Sequence, residues 1–314
     1  MARCISTKRG KAGPGVDASE GRVRWQPVKS LWVTTMTLVG LGGAFFTFSW
    51  DALALFLVTT AVTICAGHSV GMHRLLIHRS FKSPRWLEYL LVWLGVLVGM
   101  AGPFGMIKAH DLRDWAQRQK DCHDHSSHRR PFLVDAFWQM HCDLDLRHPP
   151  RLVIEEEVRD DKFYRFLERS WMMQNIALAV LFFAIGGLPW VVWGICLRVA
   201  VSLTGHWLIG HFAHRRPQGN WYVAGVCVQG FNVPYAGLIT FGESWHNNHH
   251  AFPSSARLGL GLEAGQADPG WWFIQGLRAL GLAWDIQTPE TLPPRWELRR
   301  LTEDRRPVPR PAAA

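Results

Sequence analysis

The sequence predicts an all-α integral membrane protein, in which four transmembrane helices form two hairpins capped by a cytosolic helical lobe with a histidine-ligated metal site. Three observations support this fold class. Uncharged apolar runs come in pairs, basic residues flank these runs but are absent from their tips, and 15 histidines collect near the run ends. Charged residues make up 19% of the 314-residue chain, below the roughly 25% of soluble domains.

The first hairpin is predicted from two adjacent apolar runs. Residues 31–50 carry no charge, and residues 52–72 contain only His68 as an ionisable side chain before the next basic cluster. Each run is about 20 residues long, which is the length needed to cross the hydrocarbon core of a bilayer. Only Asp51 separates them. We therefore expect spans at about 31–50 and 52–72, joined by a tight turn.

The second hairpin is predicted from residues 171–213. This stretch is uncharged except for Arg198, and Gly186-Gly187-Leu188-Pro189 interrupts it. Because glycine and proline are strong helix breakers, we expect spans at about 172–187 and 189–211. Arg198 would then lie at mid-depth, where a charge is costly unless it is paired.

The flanking segments set the predicted boundaries and orientation. Residues 1–30 are polar and basic, so we expect a flexible N-terminal tail, a main domain at 31–290 and a C-terminal tail at 291–314. Since basic residues cluster beside the spans, the positive-inside rule places both termini and the polar segments in the cytoplasm.

The six cysteines form no CxxC motif, which indicates free thiols. The net charge of +9 forms no compact basic patch, so we expect no nucleic-acid partner.

The histidine pattern is the strongest indication of chemistry. His246-Asn-Asn-His249-His250 places three imidazoles at positions i, i+3 and i+4, which share one face of a helix. Imidazole is a common ligand of iron, zinc and copper. Glu243 precedes His246 by three residues and is placed to orient a metal-binding imidazole through its second nitrogen.

A second motif, His73-Arg-Leu-Leu-Ile-His78, is harder to interpret. Five residues advance about 500° along an ideal α-helix, so the two side chains point about 140° apart. They cannot bind one ion from the same helical face. Either the helix ends between them, or each histidine serves a different metal, which suits a two-metal site.

Three stretches resemble a known family: His73-Arg-Leu-Leu-Ile-His78-Arg-Ser-Phe81, Gly242-Glu-Ser-Trp-His246-Asn-Asn-His249-His250-Ala-Phe-Pro253 and Asp268-Pro-Gly-Trp-Trp272. They resemble the membrane fatty-acyl desaturase and hydroxylase superfamily, most closely the bacterial acyl-CoA (stearoyl-CoA-like, delta-9) desaturases. The resemblance implies four spans and a centre of two iron ions. It also implies six histidine ligands: His73, His78, His214, His246, His249 and His250.

The second histidine box departs from the family pattern. Where the family has H-x-x-H-H, this chain has His110-Asp-Leu-Arg113-Asp114. Asp114 can still bind iron through its carboxylate, whereas an arginine cannot. His110 and Asp114 are four residues apart and share a helical face, so we predict that both are ligands and that Arg113 turns away.

Other residues compete for this role or bear on it. His125 and His128 lie in the same polar segment and are the competing ligands. Cys122 is a poorer candidate because activated oxygen would oxidise a thiolate. The family's water-holding asparagine near the fourth span is replaced by Gly210.

The implied function is oxygen-dependent desaturation of a fatty-acyl chain, carried by CoA or a lipid, to give a cis double bond. The metal ligands are the only predicted catalytic residues. Electrons would come from a partner such as ferredoxin or cytochrome b5 with a reductase. The protein would be a multi-pass protein of the bacterial inner membrane or an equivalent membrane, with its active site in the cytoplasm. For boxes one and two to face the same side, residues 89–107 must lie in the interface or re-enter.

Alternative functions stay open. A di-iron hydroxylase acting on a lipid or hydrocarbon would need the same metals and O2. A histidine-rich metal transporter or a haem membrane protein would need imidazoles that face each other within the spans, whereas most histidines here lie at or beyond the span ends.

Overall fold

A computed structural model describes residues 4–215 and 218–301, and this part of the chain is mostly helical. The α-helices are α1 (Pro27–Phe46), α2 (Trp50–Val62), α3 (Arg85–Val96), α4 (Pro103–Gln117), α5 (Asp124–Ser127), α6 (Phe132–His141), α7 (Glu156–Arg159), α8 (Lys162–Val191), α9 (Arg198–Ala213), α10 (His246–Ala251) and α11 (Pro269–Ala279). Two π-helical segments extend this set: Thr63–Ile77 continues α2, and Val192–Leu197 joins α8 to α9. Short strands pair antiparallel: β1 (Gly10–Lys11) with β4 (Arg151–Leu152), β2 (Gly21–Trp25) with β3 (Cys142–Leu146), and β5 (Trp221–Val223) with β6 (Leu298–Arg300).

Three helical stretches are long and apolar enough to cross a membrane: Pro27–Phe46, Trp50–Ile77 and Lys162–Ala213. Their apolar side chains mostly face outward. In the first and third stretches only 11% of the most apolar window is buried, and Phe45 and Phe46 are 83% and 84% exposed. A continuous exposed apolar surface of this kind is typical of contact with lipid.

The third stretch reverses direction at Gly187, whose φ of 65° lies in the left-handed region that glycine tolerates. Asn175 and Arg198 are 23 residues apart, which is about 35 Å along a straight helix. Yet Arg198 Nη2 donates to Asn175 Oδ1 at 2.6 Å. The helical arms before and after Gly187 are therefore antiparallel, and the predicted break at 186–189 is confirmed.

Arg198 is fully buried, and its charge is satisfied within the protein. Its guanidinium also donates to the carbonyl oxygens of Gly194 at 2.7 Å and Leu97 at 2.6 Å. These bonds compensate the buried guanidinium for the hydration that it loses on leaving water. The cation is thus held by three neutral oxygens, with no acidic side chain among these partners.

Helix α3 is 12 residues long and packs against the π-helical segment Thr63–Ile77. Two glycines permit this close approach. A Cβ at Gly71 would lie 2.4 Å from the carbonyl oxygen of Leu91, and one at Gly67 would lie 2.4 Å from the carbonyl carbon of Leu94. Because α3 is too short to cross a bilayer, the expectation that residues 89–107 do not form a simple span agrees with the fold.

The N-terminal segment differs from the predicted flexible tail. Residues 10–11 and 21–25 form strands that pair with residues more than 110 positions away. Arg9 is buried, and its guanidinium contacts Glu155 at 2.8 Å and Asp111 at 3.0 Å. Arg9 thus ties this segment to the lobe, and α1 already begins at Pro27.

The predicted C-terminal tail, 291–314, is ordered in its first part. Strand β6 (Leu298–Arg300) pairs with β5 (Trp221–Val223), and Arg295 donates to the carbonyl oxygens of His250 and Ala251. Residues 302–314 lie outside the described part of the chain.

Candidate metal centre

Four imidazoles converge in a first cluster, which consists of His73, His78, His110 and His249. The Nε2 atom of His78 lies 3.2 Å from His73 Nε2 and 3.2 Å from His110 Nε2. The ring of His249 lies 4.7 Å from the ring of His73, centroid to centroid. Two nitrogens bound to one ion at about 2.1 Å are about 3.0–3.4 Å apart, so the spacing suits metal binding.

The π-helix explains how His73 and His78 reach the same cluster. Its hydrogen bonds run from residue i to i+5, and the backbone N–H of His78 donates to the carbonyl of His73 at 3.0 Å. Five residues then complete slightly more than one turn, so the two rings lie on one face with centroids 4.7 Å apart. The prediction that these histidines cannot share a helical face was wrong, because it assumed α-helical geometry.

Carboxylates lie beside the Nδ1 atoms of two of these rings. His73 Nδ1 lies 2.6 Å from Glu243 Oε2, and His110 Nδ1 lies 3.1 Å from Asp111 Oδ1. An imidazole that places its proton on Nδ1 leaves Nε2 as a lone-pair donor. Both Nε2 atoms lie 3.2 Å from His78 Nε2, so three imidazole nitrogens converge within the reach of one ion. This donor set fits a metal ion.

Glu243 has the position that the sequence predicted for an orienting carboxylate. It accepts from Ser69 Oγ at 2.6 Å and lies 3.7 Å from Arg74. Burial alone would raise the pKa of Glu243, but the neighbouring His73 and Arg74 lower it well below its usual value. Glu243 is therefore ionised and can hold the Nδ1 proton of His73.

A second cluster consists of His214, His246 and His250. The Nε2 atoms of His246 and His250 are 3.1 Å apart, and the rings of His214 and His246 are 4.8 Å apart. His214 Nδ1 faces the carbonyl oxygen of Gln229 at 3.1 Å. Gln117 Nε2 lies 3.1 Å from His214 Nε2, a contact that no sequence motif predicts.

Helix α10 joins the two clusters. His246 and His250 belong to the second cluster and His249 to the first, with the rings of His246 and His249 5.5 Å apart. Burial lowers the pKa of His246 and His249 well below the usual value, so both imidazoles are neutral and able to bind a metal. The three rings of this helix lie with their centroids 4.6–6.0 Å apart, and they divide between the two clusters.

The two asparagines between these histidines anchor the helix. Asn247 Nδ2 donates to the carbonyl oxygens of Trp221 and Gly230, both at 2.8 Å, and Asn248 Nδ2 donates to that of Leu258 at 2.7 Å. A six-residue helix has little stability of its own. These bonds hold its histidines in place.

Residues 48–261 of the chain, about two thirds of its length, match the fatty acid desaturase family. The chain belongs to this family. All seven imidazoles of the two clusters lie within the matched region.

Named relatives of this desaturase support the assignment. It is 34% identical to the sn-1 stearoyl-lipid 9-desaturase of Anabaena variabilis over 82% of this chain and 93% of the relative. It is 33% identical to the protein of the same name from Synechocystis over 77% and 74%. It is also 33% identical to the acyl-CoA 5-desaturase AL21 of Anemone leveillei over 78% of this chain and 74% of the relative.

The altered second box of this desaturase divides its residues between different roles. His110 joins the first cluster, while Arg113 turns aside and donates to Gln139 Oε1 at 2.6 Å. Asp114 Oδ1 accepts from Arg118 Nε at 3.2 Å. Burial alone would raise the pKa of Asp114, but the charges of Arg118 and His110 lower it. Within the described chain, Asp114 lies outside both clusters yet close enough to His250 to influence its pKa.

Two of the competing candidates lie elsewhere. His125 is buried, with its ring stacked on Trp138 at 6.3 Å, and it joins no histidine cluster among residues 4–215 and 218–301. The Sγ atom of Cys122 lies 2.7 Å from that of Cys227, also away from the clusters.

The third candidate, His128, belongs to a third cluster with Asp135 and His211, all of them buried. Asp135 Oδ2 faces His128 Nδ1 at 2.9 Å and His211 Nδ1 at 2.7 Å, and it accepts from Trp207 Nε1 at 3.0 Å. The sequence offered His128 only as one of two equal alternatives, and it gave no role to Asp135.

Proposed function

We propose that this protein introduces a cis double bond into a fatty-acyl chain, bound to CoA or to a lipid, in a reaction that consumes O2 and uses two iron ions. The proposed ligands are the seven clustered imidazoles together with Asp114. They are His73, His78, His110, Asp114, His214, His246, His249 and His250. The relatives named above act on lipid-linked or CoA-linked acyl chains, and this supports both carriers.

The observation that carries the proposal is the pair of adjacent imidazole clusters that share α10. Four buried or half-buried imidazoles in one cluster and three half-buried imidazoles in the other form nitrogen-rich sites suited to iron. When bound, the irons would supply the oxidising power to remove hydrogen from unactivated methylenes, which acid–base side chains cannot do.

The chain itself orients the proposed ligands. Glu243 and Asp111 hold the Nδ1 protons of His73 and His110, and the Gln229 carbonyl does the same for His214. Each of these contacts directs an Nε2 lone pair into its cluster. Removing such a partner typically weakens metal binding 10–100-fold.

We further propose four membrane crossings, formed by α1, by α2 with its π-helical extension, and by the two antiparallel arms around Gly187. The hairpin tips meet, since Trp190 Nε1 donates to Asp51 Oδ2 at 2.5 Å. The clusters lie at the other end of the helices, where basic residues abound, so we place them and both termini in the cytoplasm. A soluble donor such as ferredoxin, or cytochrome b5 with a reductase, would supply the electrons there.

The function is tested by expressing the chain in a host that lacks desaturases and profiling its fatty acids by mass spectrometry. We expect new monounsaturated acids in the wild type, none with His249→Ala, and unchanged amounts with His148→Ala, because His148 is exposed. Hydroxylated fatty acids without new double bonds would contradict the desaturation and would indicate a hydroxylase instead.

A further inference from the structure

The second cluster contains fewer imidazoles than the first. Among the described residues, three histidines define it, against four in the first cluster. The two positions of the second box that could have supplied another imidazole hold Arg113, which binds Gln139, and Asp114, which binds Arg118. A further nitrogen ligand at the second cluster must therefore come from another part of the chain.

His128 lies directly beside the second cluster. Its ring stacks on the ring of His214, with centroids 5.5 Å apart and planes inclined by 19°. His128 is 1% exposed, and its Nε2 atom has no hydrogen-bond partner within the described chain. A buried nitrogen without a partner costs free energy unless something binds it.

The orientation of His128 is fixed from its other side. Asp135 Oδ2 faces both His128 Nδ1 and His211 Nδ1, and it accepts the indole N–H of Trp207. The ionised carboxylate accepts protons and cannot donate them. The proton of His128 is therefore on Nδ1, and the Nε2 lone pair is free to bind a cation.

The backbone around His128 supports the same placement. His128 has a φ of 52°, which is unusual for a residue with a side chain, and its carbonyl accepts from Arg215 Nη2 at 2.9 Å. Gly210 leaves space beside the ring, because a Cβ there would lie 3.2 Å from His128 Nε2.

We propose that His128 is a ligand of the metal at the second cluster, and that Asp135 is the residue that positions it. The loop after the second box thus supplies an imidazole that the box itself has lost. This inference rests on the proposed function, since it adds a ligand to one of its two metal sites.

A separate metal ion between His128, Asp135 and His211 is the alternative. It would require both Nδ1 atoms to lose their protons and would compete with the indole N–H that already occupies Asp135 Oδ2. The distances of 2.7–2.9 Å are those of ordinary hydrogen bonds. Hydrogen bonding therefore accounts for this cluster without an ion of its own.

The test compares His128→Ala with His125→Ala, a matched control that removes a buried imidazole from the same loop. Iron per chain is measured in the purified proteins, and the metal-free proteins are titrated with Co²⁺, whose absorption reports each site without turnover. We expect two irons in the wild type and in His125→Ala, but one in His128→Ala. Asp135→Asn should keep the fold and weaken the second Co²⁺ site 10–100-fold.

The outcomes separate this inference from the proposed function. Two irons and two unchanged Co²⁺ sites in His128→Ala would overturn the inference and leave the function standing. A third metal in the wild type that is lost with Asp135→Asn would also overturn it. A wild type without iron would refute the function itself. Should His128→Ala fail to fold, the Co²⁺ affinity of Asp135→Asn decides, and an unchanged affinity would contradict the proposal.

Discussion

Replacing Gly71 with alanine should disturb the first cluster without touching a ligand. The added Cβ would lie 2.4 Å from the carbonyl oxygen of Leu91, about 1 Å closer than an ordinary contact. Because the obstacle is the backbone of α3, no side-chain rotation relieves it and the helix must move. Overpacking of this kind costs about 1–3 kcal/mol, occasionally more. The substitution offsets about 0.4–1 kcal/mol of this cost, because alanine restricts the conformations of the unfolded chain more than glycine does.

We therefore expect Gly71→Ala to lose about 1 kcal/mol of stability, which corresponds to a fall in Tm of about 2–4 °C. Since Gly71 is two residues from His73, iron at the first cluster should also fall. Thermal unfolding in detergent and iron analysis check both. The matched control is Gly42→Ala, where nothing lies within 4 Å of the added Cβ, so its Tm should stay constant or rise. Equal Tm values for the two variants would refute the reasoning.

Three further predictions concern protonation and topology. Glu243→Gln should weaken metal binding by 10–100-fold while the protein still folds, as measured by Co²⁺ titration; unchanged affinity would show that Glu243 does not orient His73. Burial lowers the pKa of His128 and His250 to about 4, against about 6.5 in the unfolded chain. The unfolded chain therefore takes up protons first, and the Tm of the metal-free protein should fall steadily from about pH 6.5 to about pH 4; a constant Tm would contradict this. A membrane-impermeant maleimide should label Arg130→Cys from the cytoplasmic side and Phe48→Cys from the opposite side, and labelling of both from one side would overturn the four crossings.

The sequence was sufficient to predict the helices that are long and apolar enough to cross a membrane. Runs of about 20 uncharged residues have few other stable environments, and the glycines and proline at 186–189 mark the reversal directly. The requirement that Arg198 be paired followed from the cost of a buried charge, although its partner Asn175 could not be identified. Helix α10 was also predictable, because the spacing of its histidines is a local property.

Other features depend on contacts that local patterns do not encode. The π-helix at 63–77 places His73 and His78 together, but its hydrogen bonding leaves no distinct pattern in the residues, and α-helical arithmetic separated them. The strands of the N-terminal segment are two and five residues long, and their partners lie more than 110 residues away. Because the strand partners are so distant, the local sequence of this basic, glycine-rich stretch is the same as that expected of a flexible tail. Asp135 is a single carboxylate in a polar segment, and only the fold brings it to His128.

The central claim is that two metal sites share one short helix and have otherwise separate ligands. It is tested by measuring iron per chain in the wild type, His78→Ala, His246→Ala and the double variant. We expect two, one, one and no irons, because His78 belongs only to the first cluster and His246 only to the second. A single iron in the wild type, or the loss of both irons in each single variant, would contradict it.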